Sequence, residues 1–270
     1  MKINDTPQVP GYDCTIDELM VVTFSRALKP DTRAFNGAVS FIPACGFMLA
    51  RATHAPELVW AAGSIGIDAS PTAIPESTLS DGIWQGSTML ANSPFDFWAH
   101  AQGARYNTFS FRGAQIDKFG NVNNSVIGQY ESPKVRLAGG GGMADLSVMI
   151  PRIMLWSTTH TPRTFVDRVD FRSGLGYGDG GDDRQRRGIA GGPVVCVTNL
   201  CVFGFHPVTK QMQIETLHPG VSRSDVESAT GFNLDSSEKV PPRTARPSDE
   251  EIRLLREVID PGGARKREFA

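Results

Sequence analysis

The sequence predicts an open α/β sheet with mixed strand pairing, flanked by helices. Three observations carry this. Helical and strand patterns alternate over the first hundred residues, strands cluster with short turns over the last hundred, and Gly (28) and Pro (18) together exceed one residue in six. That punctuation cuts the chain into many short elements and excludes a helical bundle. A chain of 270 residues with 40% hydrophobic and 21% charged content forms a substantial core without a metal or disulfide staple.

The first helix is expected over residues 15–28, with Thr15 as cap and Glu18 three residues on as its capping-box partner. A short strand at 34–37 precedes a second helix at 41–54, where Pro43 falls in the tolerant first turn. A strand at 58–61 ends in a small-residue loop. The Pro/Ser/Thr-rich stretch 70–93 is expected to be irregular, and a helix follows at 96–103.

Alternation marks a strand over 108–116, turning at Phe119-Gly120-Asn121. Further strands are expected at 134–137, 146–149, 164–170, 193–198, 202–205 and 212–217, and a Ser222-capped helix at 222–230 with Gly231 as its stop. Residues 236–247 read as a linker, 249–259 as a terminal helix, and the last nine residues as a frayed tail. One domain over 1–235 and a linker with a helical tail over 236–270 is therefore the expected organisation.

Several function classes are excluded or disfavoured. A net charge of −2 offers no basic excess for general nucleic-acid binding. Residues 188–209 carry no charge, but prolines, paired glycines and Asn199 divide them into two buried strands and a turn, so no membrane span is expected. The N-terminus shows no apolar core of a secretory signal. Cys14, Cys45, Cys196 and Cys201 form no CxxC pair and no zinc spacing, which fits buried free thiols in a reducing cytoplasm and no metal site. The five histidines form no HExxH, and no serine lies in GxSxG. His54 and His218, each followed by chain-turning residues, suit capping better than catalysis.

Three segments remain as candidates. Gly139, Gly140, Gly141 and Gly142 follow a strand, and are either a tight turn or a nest of backbone N–H groups for an oxyanion or thioester carbonyl. Residues 113–123 read chiefly as a hairpin turn, with Gln115 placed to face a pocket. In 176–187, Arg184, Arg186 and Arg187 crowd beside Asp179, Asp182 and Asp183. This is a solvated mixed-charge loop or, alternatively, a guanidinium clamp for phosphate. No self-contained catalytic constellation is present.

Five stretches in order resemble the small (β) subunit of class I CoA-transferases of the glutaconate type: 49–58 (LARATHAPEL), 113–123 (GAQIDKFGNVN), 133–142 (PKVRLAGGGG), 191–200 (GGPVVCVTNL), and 217–222 (LHPGVS) with 229–232 (ATGF). The resemblance implies the open NagB/RpiA/CoA-transferase type of α/β sheet, an α subunit of the same fold in an α2β2 heterotetramer, and an acyl-CoA ligand with no other cofactor. It also implies a catalytic glutamate just after the strand that follows His54-Ala55-Pro56. The expected position falls at Gly63, and no acid occurs between Glu57 and Asp68. A chain without that carboxylate supplies no covalent thioester chemistry. This departure is shared by the family branch that hydrolyses a C–C bond of a cyclic keto acyl-CoA in cholesterol breakdown, with its working acid on the α subunit. The resemblance thus implies the β subunit of such a hydrolase; Gly139 to Gly142 are then the candidates to stabilise the enolate, and Arg184, Arg186 and Arg187 the candidates to meet the CoA phosphates. A glutaconate-type CoA-transferase subunit and a non-catalytic partner subunit are the alternatives.

Overall fold

A computed structural model describes residues 6–37, 39–62, 65–78, 80–234 and 240–269. The chain divides into two units, Met1–Ser110 with Ala245–Ala270, and Phe111–Thr244.

The first unit begins with α1 (Ile16–Arg26), where the Glu18 carboxylate accepts from the Thr15 N–H at 2.9 Å. Then come β1 (Arg33–Asn36), α2 (Phe41–Ala52) and β2 (Val59–Ala61). A hairpin of β3 (Gly66–Ala69) and β4 (Ser87–Leu90) encloses α3 (Asp81–Gln85), and α4 (Pro94–Gln102) leads to β5 (Thr108–Phe111). The expectation of an irregular 70–93 is corrected here. Gly66 pairs with Leu90 and Ala69 with Ser87, so backbone pairing orders a stretch whose composition favours turns.

The strands run parallel in the order β5-β1-β2, with Ala34 beside both Trp60 and Thr108. Parallel neighbours need long crossovers, and α2 is one of them. Phe24 of α1 meets Phe47 of α2 edge-on at 5.7 Å, and Phe47 meets Trp60 at 5.9 Å. A Cβ at Gly46 would lie 2.7 Å from the Phe24 ring, so glycine lets the two helices close. A second cluster forms around Phe35, with Phe97 at 5.2 Å and Phe109 at 5.5 Å.

The C-terminal segment belongs to this unit. A Ser248-capped helix, Asp249–Arg253, runs into a π-helical turn and then a 3-10 helix, Ala264–Phe269. The frayed-tail expectation is overturned: Arg265 is 4% exposed and ion-paired to Asp17 at 2.6 Å, Glu18 at 2.9 Å and Asp260 at 2.9 Å. Glu268 accepts the Phe41 N–H at 2.8 Å, at the start of α2.

The second unit contains β6 (Gln115–Asp117), β7 (Val122–Asn123), β8 (Val126–Gly128), β9 (Pro133–Arg136), α5 (Met143–Met149), β10 (Arg152–Ser157) and β11 (Phe165–Val166). It continues with α6 (Asp183–Arg186), β12 (Gly192–Thr198), β13 (Cys201–Phe205), β14 (Met212–Leu217) and α7 (Arg223–Ser228). Its main strands lie in the order β14-β13-β12-β10, parallel between β10 and β12 and antiparallel elsewhere. Mixed pairing within an α/β arrangement is the predicted class.

Two local expectations fail together. The strand placed at 146–149 is the helix α5, and the strand β10, which the pattern missed, follows Pro151. Ile153, Met154, Leu155 and Trp156 are all fully buried, so this parallel strand shows no alternation for periodicity to detect. The uncharged 188–209 stretch forms β12, a turn and β13 as expected. Among the described residues no helix is long and apolar enough to cross a membrane. All four cysteines are free and buried.

Two buried histidines act as struts. His160 hydrogen-bonds Thr198 Oγ1 and Thr230 Oγ1, each at 3.0 Å, and His218 bonds Thr244 Oγ1 and the Thr198 carbonyl, each at 2.8 Å. Burial pushes His160 down to about 3 and His218 down to about 4. The unfolded chain therefore binds more protons than the folded one as pH falls from about 6.5 toward those values, and stability drops over that window by about 1.4 kcal/mol per pH unit per histidine. The urea midpoint is expected to be clearly lower at pH 5 than at pH 7.5; equal midpoints would contradict two neutral core histidines.

Candidate functional site

In parallel α/β sheets, ligands bind beyond the carboxyl ends of the strands. In the first unit β1 ends at Asn36, which pairs with Ser110 near the end of β5, and β2 ends at Ala61. The Trp60 indole N–H donates to Asn36 Oδ1 at 2.6 Å, and the Asn36 amide donates to the Gly37 carbonyl at 2.9 Å. Beyond β2 the chain reverses, with Ala62 and Gly66 exchanging two backbone hydrogen bonds of 2.9 Å. Gly63, the position expected for the transferase glutamate, lies outside the described residues.

The nearest acids in sequence do not replace that glutamate. Glu57 is exposed before β2. Asp68, at φ 54°, accepts from Arg51 Nη2 at 2.8 Å and from the Thr88 hydroxyl at 3.0 Å. β2 ends at Ala61 and is followed by Ala62, so among the described residues no carboxylate stands at that strand end.

The glycine loop lies between β9 and α5 in the second unit. Gly139 and Gly141 have φ of 101° and 54°, and a Cβ at either would meet nothing within 4 Å. Glycine is required there by backbone conformation, while the space above stays open. Gly139 donates its N–H to the Asn124 carbonyl at 2.8 Å, and a Cβ on Gly140 would come 3.1 Å from Ser173 Cβ. The Ser173 hydroxyl oxygen accepts the Asn124 N–H at 2.9 Å and pairs with the Ser125 hydroxyl at 2.7 Å, which seats the loop from below.

Gln115, expected to face a pocket, is buried and hydrogen-bonded within the protein. Its carbonyl oxygen accepts from Asn123 Nδ2 at 2.7 Å and from the Asp170 N–H at 3.0 Å, and its amide donates to Asp170 Oδ2 at 3.1 Å. The carboxamide is used up in bracing β6 and β7 against residue 170.

Arg184 is likewise corrected as a phosphate contact. It is 2% exposed, and its five N–H donors go to the carbonyls of Ala190 (twice), Leu175, Gly176 and Ser147 at 2.7–3.3 Å. A guanidinium has five such donors, so none remains for an anion. Burial also lowers its pKa. Arg186 and Arg187 are exposed but pair locally with Asp182 and Asp183 at 3.0–3.6 Å. The Arg187 hydrogen bond holds the Asp183 carboxyl below its usual value. Residues 176–187 are therefore a self-neutralised loop around one buried arginine.

Sequence reading missed a second carboxamide strut. The hairpin turn expected at Asp117 to Asn121 is present, and both of its ends are buried: Asp117 Oδ1 accepts the Phe119 and Asn121 N–H groups at 3.0 Å. Asn121 donates to the Gly178 carbonyl at 2.7 Å and accepts the Gly176 N–H at 2.9 Å. A buried Asn beside two glycine-rich segments was the available signal. Among the described residues no group of three or more His, Cys, Asp or Glu could hold a metal.

Comparison with known proteins places these features. A family model described as coenzyme A transferase matches residues 19–229. The B (β) subunit of 3-oxoadipate CoA-transferase from Pseudomonas knackmussii is 36% identical over 248 residues, covering 89% of this chain and 91% of its own length. The cholesterol ring-cleaving hydrolase IpdB subunit of Rhodococcus jostii is 33% identical over 229 residues, covering 85% and 86%. The crystal structure of glutaconate coenzyme A-transferase from Acidaminococcus fermentans matches with a TM-score of 0.83 at 28% identity, covering 93% of this chain and 97% of that one. Identity does not single out the hydrolase branch, since the first of these transferases is the nearer in sequence.

Proposed function

The chain belongs to the coenzyme A transferase family as a β-type subunit, and on that premise we propose that it works without a covalent step of its own, in a heteromeric acyl-CoA hydrolase that cleaves a C–C bond. The observation that supports this reading is the missing acid: Gly63 stands at the position expected for the transferase glutamate, and neither Asp nor Glu occurs between Glu57 and Asp68. Transfer through an enzyme-bound thioester needs a carboxylate nucleophile, and a glycine offers none.

The proposed chemistry uses an acid of the α subunit to activate water toward a ketone of the substrate. Water adds to the carbonyl, and the bond from that carbon to the carbon α to the thioester breaks. One product is a carboxylic acid. The electron pair moves onto the thioester oxygen as an enolate, which then takes a proton at carbon. Backbone N–H groups of Gly140, Gly141 and Gly142 are the proposed partners of that oxygen, supported by the open space at Gly141; the Gly139 N–H is already given to the Asn124 carbonyl. A cyclic keto acyl-CoA of steroid breakdown is the substrate class proposed from the hydrolase relative. We further propose an α subunit of the same fold, an α2β2 assembly and a cytoplasmic setting, the last supported by four unpaired buried thiols.

The test is turnover of a cyclic keto acyl-CoA by the co-expressed α and β subunits, with and without an added carboxylic acid as acceptor. The expected result is ring opening at the same rate in both. Strict dependence on the acceptor, with CoA moved onto it, would make the enzyme a transferase. Full activity of the α subunit without this chain would make the chain a non-catalytic partner.

A further inference from the structure

The predicted cationic loop leaves no free guanidinium for CoA, yet another part of the second unit has one. Tyr130 and Phe171 are 49% and 37% exposed, and their rings stack with centroids 5.2 Å apart at 22°. The Arg136 guanidinium lies over the Tyr130 ring at 5.3 Å. Lys134 and Arg136 are two residues apart on β9 and so share a face of that strand. Neither is ion-paired to a carboxylate among the described residues, in contrast to Arg186 and Arg187.

The pair is built in place. Asp170, the neighbour of Phe171, receives the Gly128 N–H at 2.9 Å and the Gln115 amide at 3.1 Å on one oxygen, which ties the β8–β9 hairpin to the segment carrying Phe171. The pairing of that hairpin shifts register between Ile127 and Gly128, where φ is 90°. Ser173, two residues beyond Phe171, is the seat of Gly140, and Arg136 precedes Gly139 by three residues. The aromatic pair and the glycine loop therefore hang on the same two stretches of backbone.

We propose that Tyr130, Phe171, Arg136 and Lys134 form the seat for the adenosine 3′-phosphate end of the acyl-CoA. This rests on the acyl-CoA reading given above. Adenine is flat and stacks on an exposed aromatic face, a contact that tolerates solvent on its other side. Stacking on Tyr130 occupies one face of the Arg136 guanidinium and leaves its N–H edge for phosphate oxygens, which that fork matches in pairs. Lys134 adds a second positive charge. Gln115 enters as a positioning residue, because its amide fixes Asp170 beneath Phe171.

The experiment is calorimetric binding of CoA, 3′-dephospho-CoA and pantetheine to the assembled α and β subunits, for wild type, Arg136→Gln and Phe171→Ala. Wild type is expected to prefer CoA over 3′-dephospho-CoA about tenfold, and Arg136→Gln to erase that preference. Phe171→Ala is expected to weaken both nucleotides about tenfold. Pantetheine should bind all three proteins alike. Retention of the preference in Arg136→Gln, or of nucleotide affinity in Phe171→Ala, would overturn the proposal. So would failure of either variant to assemble, since the surface would then be a subunit contact. A wild-type enzyme that binds no CoA would instead overturn the acyl-CoA reading on which the proposal depends.

Discussion

Arg265→Met is expected to lose about 3–5 kcal/mol of stability, because it removes the one cation that three buried carboxylates share. Asp17 and Asp260 are fully buried, Glu18 is 3% exposed, and each lies within 2.9 Å of the Arg265 guanidinium. Burial pushes the Glu18 carboxyl up, but its hydrogen bonds to Arg256 and to the Thr15 N–H, together with the nearby Arg265, bring it down to about 2. Without Arg265 the Glu18 carboxyl binds a proton more readily in the folded state. Wild type loses the Glu18 contribution as pH falls from about 4.5 toward 2, so the deficit should be full at pH 7 and shrink only over that acid window. In a thermal melt at pH 7 the midpoint should fall by on the order of 10 °C. Asp17→Asn added to Arg265→Met should recover part of it, since one unpaired charge is then gone. A midpoint within 1–2 °C of wild type would return the last residues to the status of a loose tail.

Arg184→Met is expected to cost at least about 3 kcal/mol by a different route, since unsatisfied buried polar groups cost ~1–3 kcal/mol each. Four carbonyls, those of Ser147, Leu175, Gly176 and Ala190, lose their shared donor. Arg184→Lys should rescue little, because an ammonium has three donors on a point charge and cannot span four carbonyls held in a plane by a guanidinium. Arg186→Gln, which removes an exposed charge 67% accessible to solvent, should change stability by less than about 1 kcal/mol. The checks are urea midpoints of the three variants beside the KM for acyl-CoA. A stable Arg184→Met enzyme with a raised KM would restore the phosphate role that sequence proximity suggested.

These two arginines show where sequence reading ends. Local rules located α1, α2, β12, β13 and β14, because a capping residue, a tolerated first-turn proline or an apolar run bounded by glycines is visible within ten residues. They failed at β10, which is buried on both faces and so has no period of two, and at α5, whose seven residues are too few to show a period of 3.6. Arg265 looked like part of a charged tail because its partners Asp17 and Glu18 stand some 250 residues away in sequence. Arg184 looked like its neighbours Arg186 and Arg187, although only it turns inward. The glycine loop was legible, since four consecutive glycines are a statement about backbone. The aromatic pair was not, because Tyr130 and Phe171 meet only through the Asp170 brace.

The same limit applies to the reaction. Family motifs in order identify the fold and the partnership class, while the choice between covalent transfer and hydrolysis turns on a side chain that is absent from one strand end. The measurement that tests this most directly is intact-mass spectrometry of this chain, quenched during turnover of the acyl-CoA by the assembled enzyme and again after hydroxylamine. The account predicts that the chain keeps its unmodified mass throughout while product accumulates. A CoA or acyl adduct on any Asp or Glu of this chain, formed at the rate of turnover and released by hydroxylamine, would contradict it.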